Sequence, residues 1–385
     1  MSTANFEAGE VADVAEPGGR GGRTEPITVM LGRFSALFLL IGFLVLFGLL
    51  RPEVFLTQTT FKATLSSGVV TAILALAFLI PLSAGAFDLS VGTMMGLSLV
   101  IMNWFGTNHK SVPIMLVAVG AVITCGLVGL ISGIMVVRFK VNSLIATLGV
   151  SQILTAVELK ISNNRQITGA FSATFQKWGN RSVLGVPIVL VYLLVLGLVI
   201  WFMLEHTPTG RYLFAIGGNP EAARLAGINV NRLTYASLVA SGAVAGLAGV
   251  VYSMKVGVFS VDAGPGLLFP ALAAVFFGAS QFSRRPNVWG TLVAYFALAF
   301  GVKGLQLTFG PGTFWIEPLF QGVTLLIAVG LASRTIGSTR RSRRRQLEQS
   351  VSVAEPADAG VPAAGVVPLG TVDHGEPQVV VSDRS

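Results

Sequence analysis

Ten long apolar runs, nearly free of charge, alternate with short polar connections over residues 33–332. A helix needs about 20 apolar residues to cross the hydrocarbon core of a bilayer. The pattern therefore predicts an all-α polytopic membrane protein with about ten transmembrane helices. The runs are 34–50, 63–81, 88–105, 112–137, 143–161, 184–204, 232–255, 266–281, 287–304 and 314–332.

Composition and charge agree with this class. Of the residues, 53% are hydrophobic and 11% charged, whereas soluble chains carry about 25% charged residues. With alternating spans, 17 of the 26 Lys and Arg residues fall on the side of the N-terminus. The positive-inside rule then predicts that both termini are cytoplasmic. Few aromatic residues accompany the basic ones, so we expect them to meet the lipid bilayer and not nucleic acid.

The two ends differ from the body of the chain. Residues 1–32 and those after 345 are rich in small, acidic and Pro residues and show no sustained periodicity, which predicts disorder. We therefore expect a disordered cytoplasmic tail (1–32) and a transmembrane domain (33–333). A basic juxtamembrane run and a second disordered cytoplasmic tail (334–385) follow.

The longest cytoplasmic connection, residues 206–231, carries the signals of a two-turn helix. Asn219 suits an N-cap, Pro220 the first helical position and Glu221 the positive helix end. Gly227 suits the left-handed residue that ends a helix.

This short helix would carry a small apolar stripe, because Ala222, Leu225 and Ala226 follow a spacing of three and four residues. Two interpretations stay open. The stripe packs on loops of the same chain, or it docks into a groove on a cytoplasmic partner.

Residues 81–92 interrupt apolar sequence with Pro, Gly and an acidic residue, which predicts a broken helix. Irregular backbone at membrane depth needs protein or a water-filled cavity to satisfy it, and an ionisable residue there is a functional candidate. Asp88 could line a translocation pathway together with Phe87 and Ser90. It also fits as the N-cap of a helix beginning at Leu89, and the two roles are compatible.

Three glycine pairs spaced four residues apart predict close helix packing: Gly92 and Gly96, Gly129 and Gly133, and Gly242 and Gly246. Glu158 and Lys160 lie near the end of a predicted span, where we expect both at the membrane interface.

Motifs for catalysis or nucleotide binding are absent from the sequence, including a P-loop, H-E-x-x-H and G-x-S-x-G. The single Cys125 and three distant histidines show no ligand spacing. We expect no catalytic residue, no cofactor and no metal site. The loops hold no soluble receptor domain, so another protein should capture any solute.

Three segments resemble one known family. They are residues 86–92 (AFDLSVG), 140–149 (KVNSLIATLG) and 210–229, which contains GNPEAARLAGI. Over about residues 54–332 the chain is similar to the membrane permease of sugar-type ABC importers, the ribose, xylose and galactoside group, with the type II importer fold. The resemblance implies no ATP site in this chain, a multi-pass location in the bacterial inner membrane and alternating access for a monosaccharide or related solute.

The resemblance also implies partners: a cytoplasmic ATPase subunit, an extracytoplasmic sugar-binding protein and a second permease copy, a heterodimer remaining open. It assigns coupling to the ATPase to Gly218, Asn219, Pro220, Glu221, Ala222, Ala223, Arg224, Leu225, Ala226 and Gly227.

The chain departs from the family pattern where Ala279, Arg284 and Arg285 replace glycines. Two alternatives stay open for function. An ABC permease for branched-chain amino acids or nucleosides would share the fold. An ion-coupled secondary transporter would need paired charged residues at mid-membrane, for which Asp88 is the one candidate.

Overall fold

The computed structural model describes residues 35–279, 285–310 and 312–327, and this part of the chain is mainly helical. Its helices are α1 Ser35–Leu50, α2 Pro52–Phe55, α3 Gln58–Ser83, α4 Val91–Asn108, α5 Ile114–Val137, α6 Ser143–Ser162, α7 Ala173–Asn180, α8 Ile188–His206, α9 Pro208–Gly218, α10 Pro220–Leu225, α11 Val230–Lys255, α12 Pro265–Ala279, α13 Val288–Phe309 and α14 Ile316–Ile327. The two tails expected to be disordered lie outside the described residues.

Four two-residue strands form two small antiparallel pairs. The strand β1, Ile167–Thr168, pairs with β4, Val258–Phe259, and β2, Ser182–Val183, pairs with β3, Val186–Pro187. They connect helices and do not alter the all-α character of the described chain.

Each of the ten apolar runs overlaps one long helix of the structure over most of its described residues. Within the described ranges, six helices are long and apolar enough to cross a membrane: α3, α5, α6, α8, α11 and α13. The helices α1, α12 and α14 are apolar but shorter. The polytopic class is thus confirmed, while the count of about ten spans stays a prediction.

Helix α3 lies at the centre of the helical bundle. In the most apolar 18 residues of α3, 78% of the residues are buried, whereas the corresponding share is 28% in α6 and in α8. An apolar helix that is buried on all sides needs neighbours all round, and α3 contacts α8, α11, α12 and α13.

The outer helices present large apolar side chains outward. Leu116, Ile123 and Leu127 of α5 and Val199 and Phe202 of α8 are all more than half exposed. Such a surface is unfavourable in water and suits lipid acyl chains.

Glycines set the closest helix contacts, as their spacing predicted. A Cβ at Gly129 of α5 would clash with the Leu238 carbonyl oxygen of α11. A Cβ at Gly242 of α11 would clash with the Cys125 carbonyl oxygen of α5. The backbones of α5 and α11 approach so closely because neither position carries a side chain.

The membrane depth of Glu158 stays a prediction, while its surroundings in the bundle are defined. Its side chain is fully buried, and its carboxyl oxygens would lie 2.7 and 2.9 Å from a Cβ at Gly96 of α4. Glu158 faces a neighbouring helix because the glycine leaves room for the carboxyl group.

Candidate functional site

A helical segment follows α8 and projects from one end of the bundle. Within the predicted connection 206–231 no helix is expected before Pro220, which is wrong, because residues 208–218 form α9. Thr207 caps this helix by accepting a hydrogen bond from the Gly210 N–H, and Pro208 occupies its first turn. Leu213 and Ile216, three residues apart, are buried and hold α9 on the bundle.

The short helix α10, Pro220–Leu225, confirms the two-turn helix expected from its cap residues. The Asn219 side chain accepts from the backbone N–H groups of Glu221 and Ala222, both at 3.1 Å. At its other end, Gly227 takes a φ of +80°.

Two backbone hydrogen bonds close the end of α10. The Gly227 N–H donates to the Arg224 carbonyl oxygen and the Ile228 N–H to that of Ala223, both at 3.0 Å. This pair of bonds is a Schellman motif. Both ends of α10 are therefore fixed within the chain itself.

The predicted apolar stripe of α10 points away from the protein. Within 218–227 only Ala223 is buried, and Leu225 is 91% exposed. Ala222 and Ala226 are exposed beside it. In the described chain, the stripe is therefore not covered by loops of the same protein.

Arg285 joins the base of this segment to the bundle. Its Nη2 donates to Oε2 of Glu205 at 2.7 Å, and its guanidinium carbon lies 4.5 Å from the centre of the Phe214 ring. Arg285 thus bridges the end of α8 and the middle of α9.

The helix break between α3 and α4 is confirmed, and it touches α9. Gly85 has a φ of +75°, and a Cβ at this residue would lie 3.4 Å from the Cα of Gly217. A Cβ at Gly217 would lie 2.5 Å from the Ser83 carbonyl oxygen. The segment that carries α10 thus rests directly on the break.

Asp88 lies at the centre of the break and is fully buried. Its Oδ1 accepts from the backbone N–H of Ser90 at 3.1 Å and from the Ser90 hydroxyl at 2.5 Å. Its Oδ2 accepts from the hydroxyl of Ser241 in α11 at 2.8 Å. The expected N-cap role is wrong, because α4 begins at Val91 with Ser90 as its N-cap residue.

Hydroxyl groups of α6 satisfy the irregular backbone of the break. The N–H of Phe87 donates to Oγ of Ser143 and that of Leu89 to Oγ1 of Thr147, both at 3.1 Å. Protein groups thus meet the requirement for broken backbone at membrane depth.

The three predicted pathway residues come together at this junction. Phe87 is half-buried, while Asp88 and Ser90 are fully buried. The Phe87 ring lies 6.2 Å from that of Phe78 and 6.3 Å from that of Phe276.

A second carboxyl group, that of Glu158, is buried in the bundle, and the sequence did not predict this burial. Neither oxygen of Glu158 has a hydrogen-bond partner among the described residues. An acidic residue within the predicted span 143–161 was the available signal, since ionisable residues in spans almost always face the bundle interior or a water-filled cavity.

Helices long and apolar enough to cross a membrane, a buried polar break and an exposed capped helix joined to that break through α9 are the features of a polytopic membrane permease. Residues 60–329 match the family described as branched-chain amino acid transport system, permease component. The chain belongs to this family, which contains permeases of ABC importers, and it is a multi-pass protein of the inner membrane.

Individual relatives agree with this assignment. The chain is 29% identical to the ribose import permease protein RbsC of Haemophilus influenzae over 326 residues, 83% of this chain and 99% of the relative. It is 31% identical to RbsC of Escherichia coli over 75% of this chain and 91% of the relative. It is 32% identical to the fructose import permease protein FrcC of Rhizobium meliloti over 77% and 83%. No solved structure matches the chain.

Proposed function

We propose that this chain is the transmembrane subunit of an ABC importer and forms the pathway for a monosaccharide or a related small polar solute. Alternating access, driven by partner ATPase subunits, would move the solute without chemical change. The exposed stripe of α10 is the observation that carries this proposal. Two relatives are named as import permeases for ribose and for fructose, and these names support a sugar as the solute.

The helix α10 suits docking into a groove on a cytoplasmic ATPase subunit. A six-residue helix is unstable alone in water, so its caps at Asn219 and Gly227 hold it ready for a partner. Docking would bury Leu225, a large apolar side chain that the described chain leaves 91% exposed. We assign coupling to residues 218–227.

Movement of α10 reaches the bundle through α9. Gly217 of α9 touches Ser83 and Gly85 at the break, and Asp88 of the break is hydrogen-bonded to Ser241 in α11. A shift of the docked helix between two ATPase states would therefore bias the arrangement of the broken helix. Phe87, Asp88 and Ser90 are our candidates for the pathway at this level.

The rest of the assembly follows the family. The chain has both termini in the cytoplasm, about ten spans and no ATP site of its own, and it pairs with a second copy of itself. An extracytoplasmic binding protein delivers the solute. A branched-chain amino acid, which the family description names, or a nucleoside is the alternative solute.

A charge at the tip of α10 tests the proposal. Leu225→Arg should abolish ATP-dependent uptake of radiolabelled ribose, allose or fructose, because it places a cation where an apolar contact is needed. Leu184→Arg is the matched control, since Leu184 is 99% exposed in the turn between β2 and β3. Both variants should reach wild-type levels in the membrane. Normal uptake by Leu225→Arg would contradict docking through α10.

A further inference from the structure

A cavity of about 340 Å³ lies between helices α3, α12, α13 and α14. This volume is at the small end of the roughly 300–1,000 Å³ that ligand pockets occupy. Its wall combines apolar side chains such as Leu267 and Leu298 with several polar ones. Polar residues on a cavity between membrane helices are functional candidates.

On α13 the residues that line the cavity run from Tyr295 to Gln306. Helix α13 begins beside the base of the coupling segment, where the Trp289 and Trp201 rings are 6.1 Å apart. A rise of about 1.5 Å per residue places Lys303 about 21 Å from Trp289 along α13. With α10 on the cytoplasmic side, the cavity is in the outer half of the protein, where a solute would enter.

Hydroxyl groups on α3 face this cavity with free acceptor capacity. The Thr64 hydroxyl donates to the Thr60 carbonyl oxygen at 2.8 Å, and the Ser67 hydroxyl donates to that of Thr64 at 3.1 Å. Each hydroxyl oxygen has two lone pairs, so both can accept hydrogen bonds from a solute.

The wall formed by α13 and α14 supplies hydrogen-bond donors and one side chain of each charge. Lys303 is the one charged residue of α13, and no ion pair forms at its Nζ among the described residues. Glu317 of α14 lines the cavity too and accepts a 3.0 Å hydrogen bond from the Gln321 amide. Gln306, one turn beyond Lys303, adds a further amide.

We propose that this cavity binds the transported solute as an uncharged polyhydroxylated molecule, with Lys303 and Gln306 as residues that determine its affinity. One positive and one negative side chain among hydroxyls and amides favour many hydrogen bonds to a neutral solute over capture of an anion. This inference rests on the proposed function and adds the site at which the solute is held.

Kinetics of uptake in whole cells that express the complete importer test the site. Lys303→Met should raise the apparent KM for radiolabelled ribose, or whichever of ribose, allose and fructose is taken up, by about tenfold, because one hydrogen bond to a charged group is lost. Lys303→Gln, which keeps a donor, should raise it less. Lys110→Met, which removes an exposed lysine after α4, should leave the apparent KM unchanged.

Protection from labelling gives a second readout that does not depend on how the lysine variant folds. Ser67 is exposed at the rim of the cavity, and the native Cys125 is buried. A membrane-impermeant maleimide should label Ser67→Cys, and saturating sugar should slow this labelling about fivefold, whereas leucine should not. Labelling of Leu184→Cys should be insensitive to either solute.

The outcomes separate the two proposals. Absence of ATP-dependent uptake in the wild type would overturn the proposed function itself. Normal sugar uptake with an unchanged apparent KM in Lys303→Met and no protection of Ser67→Cys would overturn only the cavity site. Protection by leucine alone would overturn the polyhydroxylated solute.

Discussion

Asp88 connects three parts of the bundle through one carboxylate. It accepts two hydrogen bonds from Ser90 at the start of α4 and one from Ser241 in α11, 153 positions away in the sequence. A buried acceptor left without a donor costs more than an ordinary hydrogen bond is worth. The residue is therefore a structural tie at the same junction that we assign to the pathway.

Removing the Ser241 hydroxyl tests this tie. We expect Ser241→Ala to lower the free energy of unfolding by about 1–3 kcal/mol, because Oδ2 of Asp88 loses its donor. Thermal unfolding of the purified protein in detergent would measure the change. Thr124→Ala is the control, since the Thr124 hydroxyl is exposed and bonds only its own helix. Equal stability of the two variants would contradict the tie.

Glu158 is the opposite case, a buried carboxyl group without a partner in the described chain. Burial of an unpaired polar group is unfavourable, so Glu158→Leu should raise the unfolding midpoint in detergent. Glu205→Leu should lower it, because that change removes the 2.7 Å ion pair with Arg285. A large loss of stability in Glu158→Leu would show a stabilising contact that the described residues do not contain.

At the scale of the elements, the sequence predicts helix ends and helix contacts correctly where the whole signal lies within a few neighbouring residues. Asn219, Pro220 and Gly227 define both ends of α10, and the spacing of glycines in α5 predicted a close helix contact. Helix α9 was missed because Gly210, Gly217 and Gly218 resemble loop sequence. Its helical state depends on burial of Leu213 and Ile216 against other helices, which no local pattern shows.

The contact between α5 and α11 gives a prediction with a control in the same helix. Gly129→Ala should destabilise the protein by about 1–3 kcal/mol, because its Cβ would overlap backbone atoms of α11 that cannot rotate away. Gly120→Ala should be neutral or slightly stabilising, since a Cβ there meets nothing within 4 Å. Thermal unfolding of both variants in detergent would decide, and similar midpoints would argue against a tight α5–α11 seam.

At the scale of the whole molecule, the ten apolar runs predicted the membrane class and the order of the helices. They did not show which face of α6 meets α4, so the burial of Glu158 beside Gly96 was not predicted. They also did not show that α3, α12, α13 and α14 enclose a polar cavity, because the residues that line it come from distant parts of the sequence, 63–71 and 267–321. Long-range contacts of this kind depend on packing and leave no periodic signal.

The coupling segment and the cavity lie in different parts of the helical bundle. The coupling segment meets the residues just before α13 where Arg285 lies over the Phe214 ring, whereas the cavity is lined by α13 from Tyr295 to Gln306. The tie at Asp88 lies near the place where the coupling segment meets the break. An importer driven by a cytoplasmic ATPase needs this separation between solute entry and energy input.

Purification of the complex tests the central claim most directly. The tagged full-length chain would be isolated from membranes in mild detergent, the co-purifying chains identified by mass spectrometry and ATP hydrolysis measured. We predict a stoichiometric ATPase subunit that is lost in Leu225→Arg and retained in Leu184→Arg. Purification of the wild-type chain without any ATPase, together with uptake that survives ATP depletion and stops when the ion gradient collapses, would contradict the importer and identify a secondary transporter.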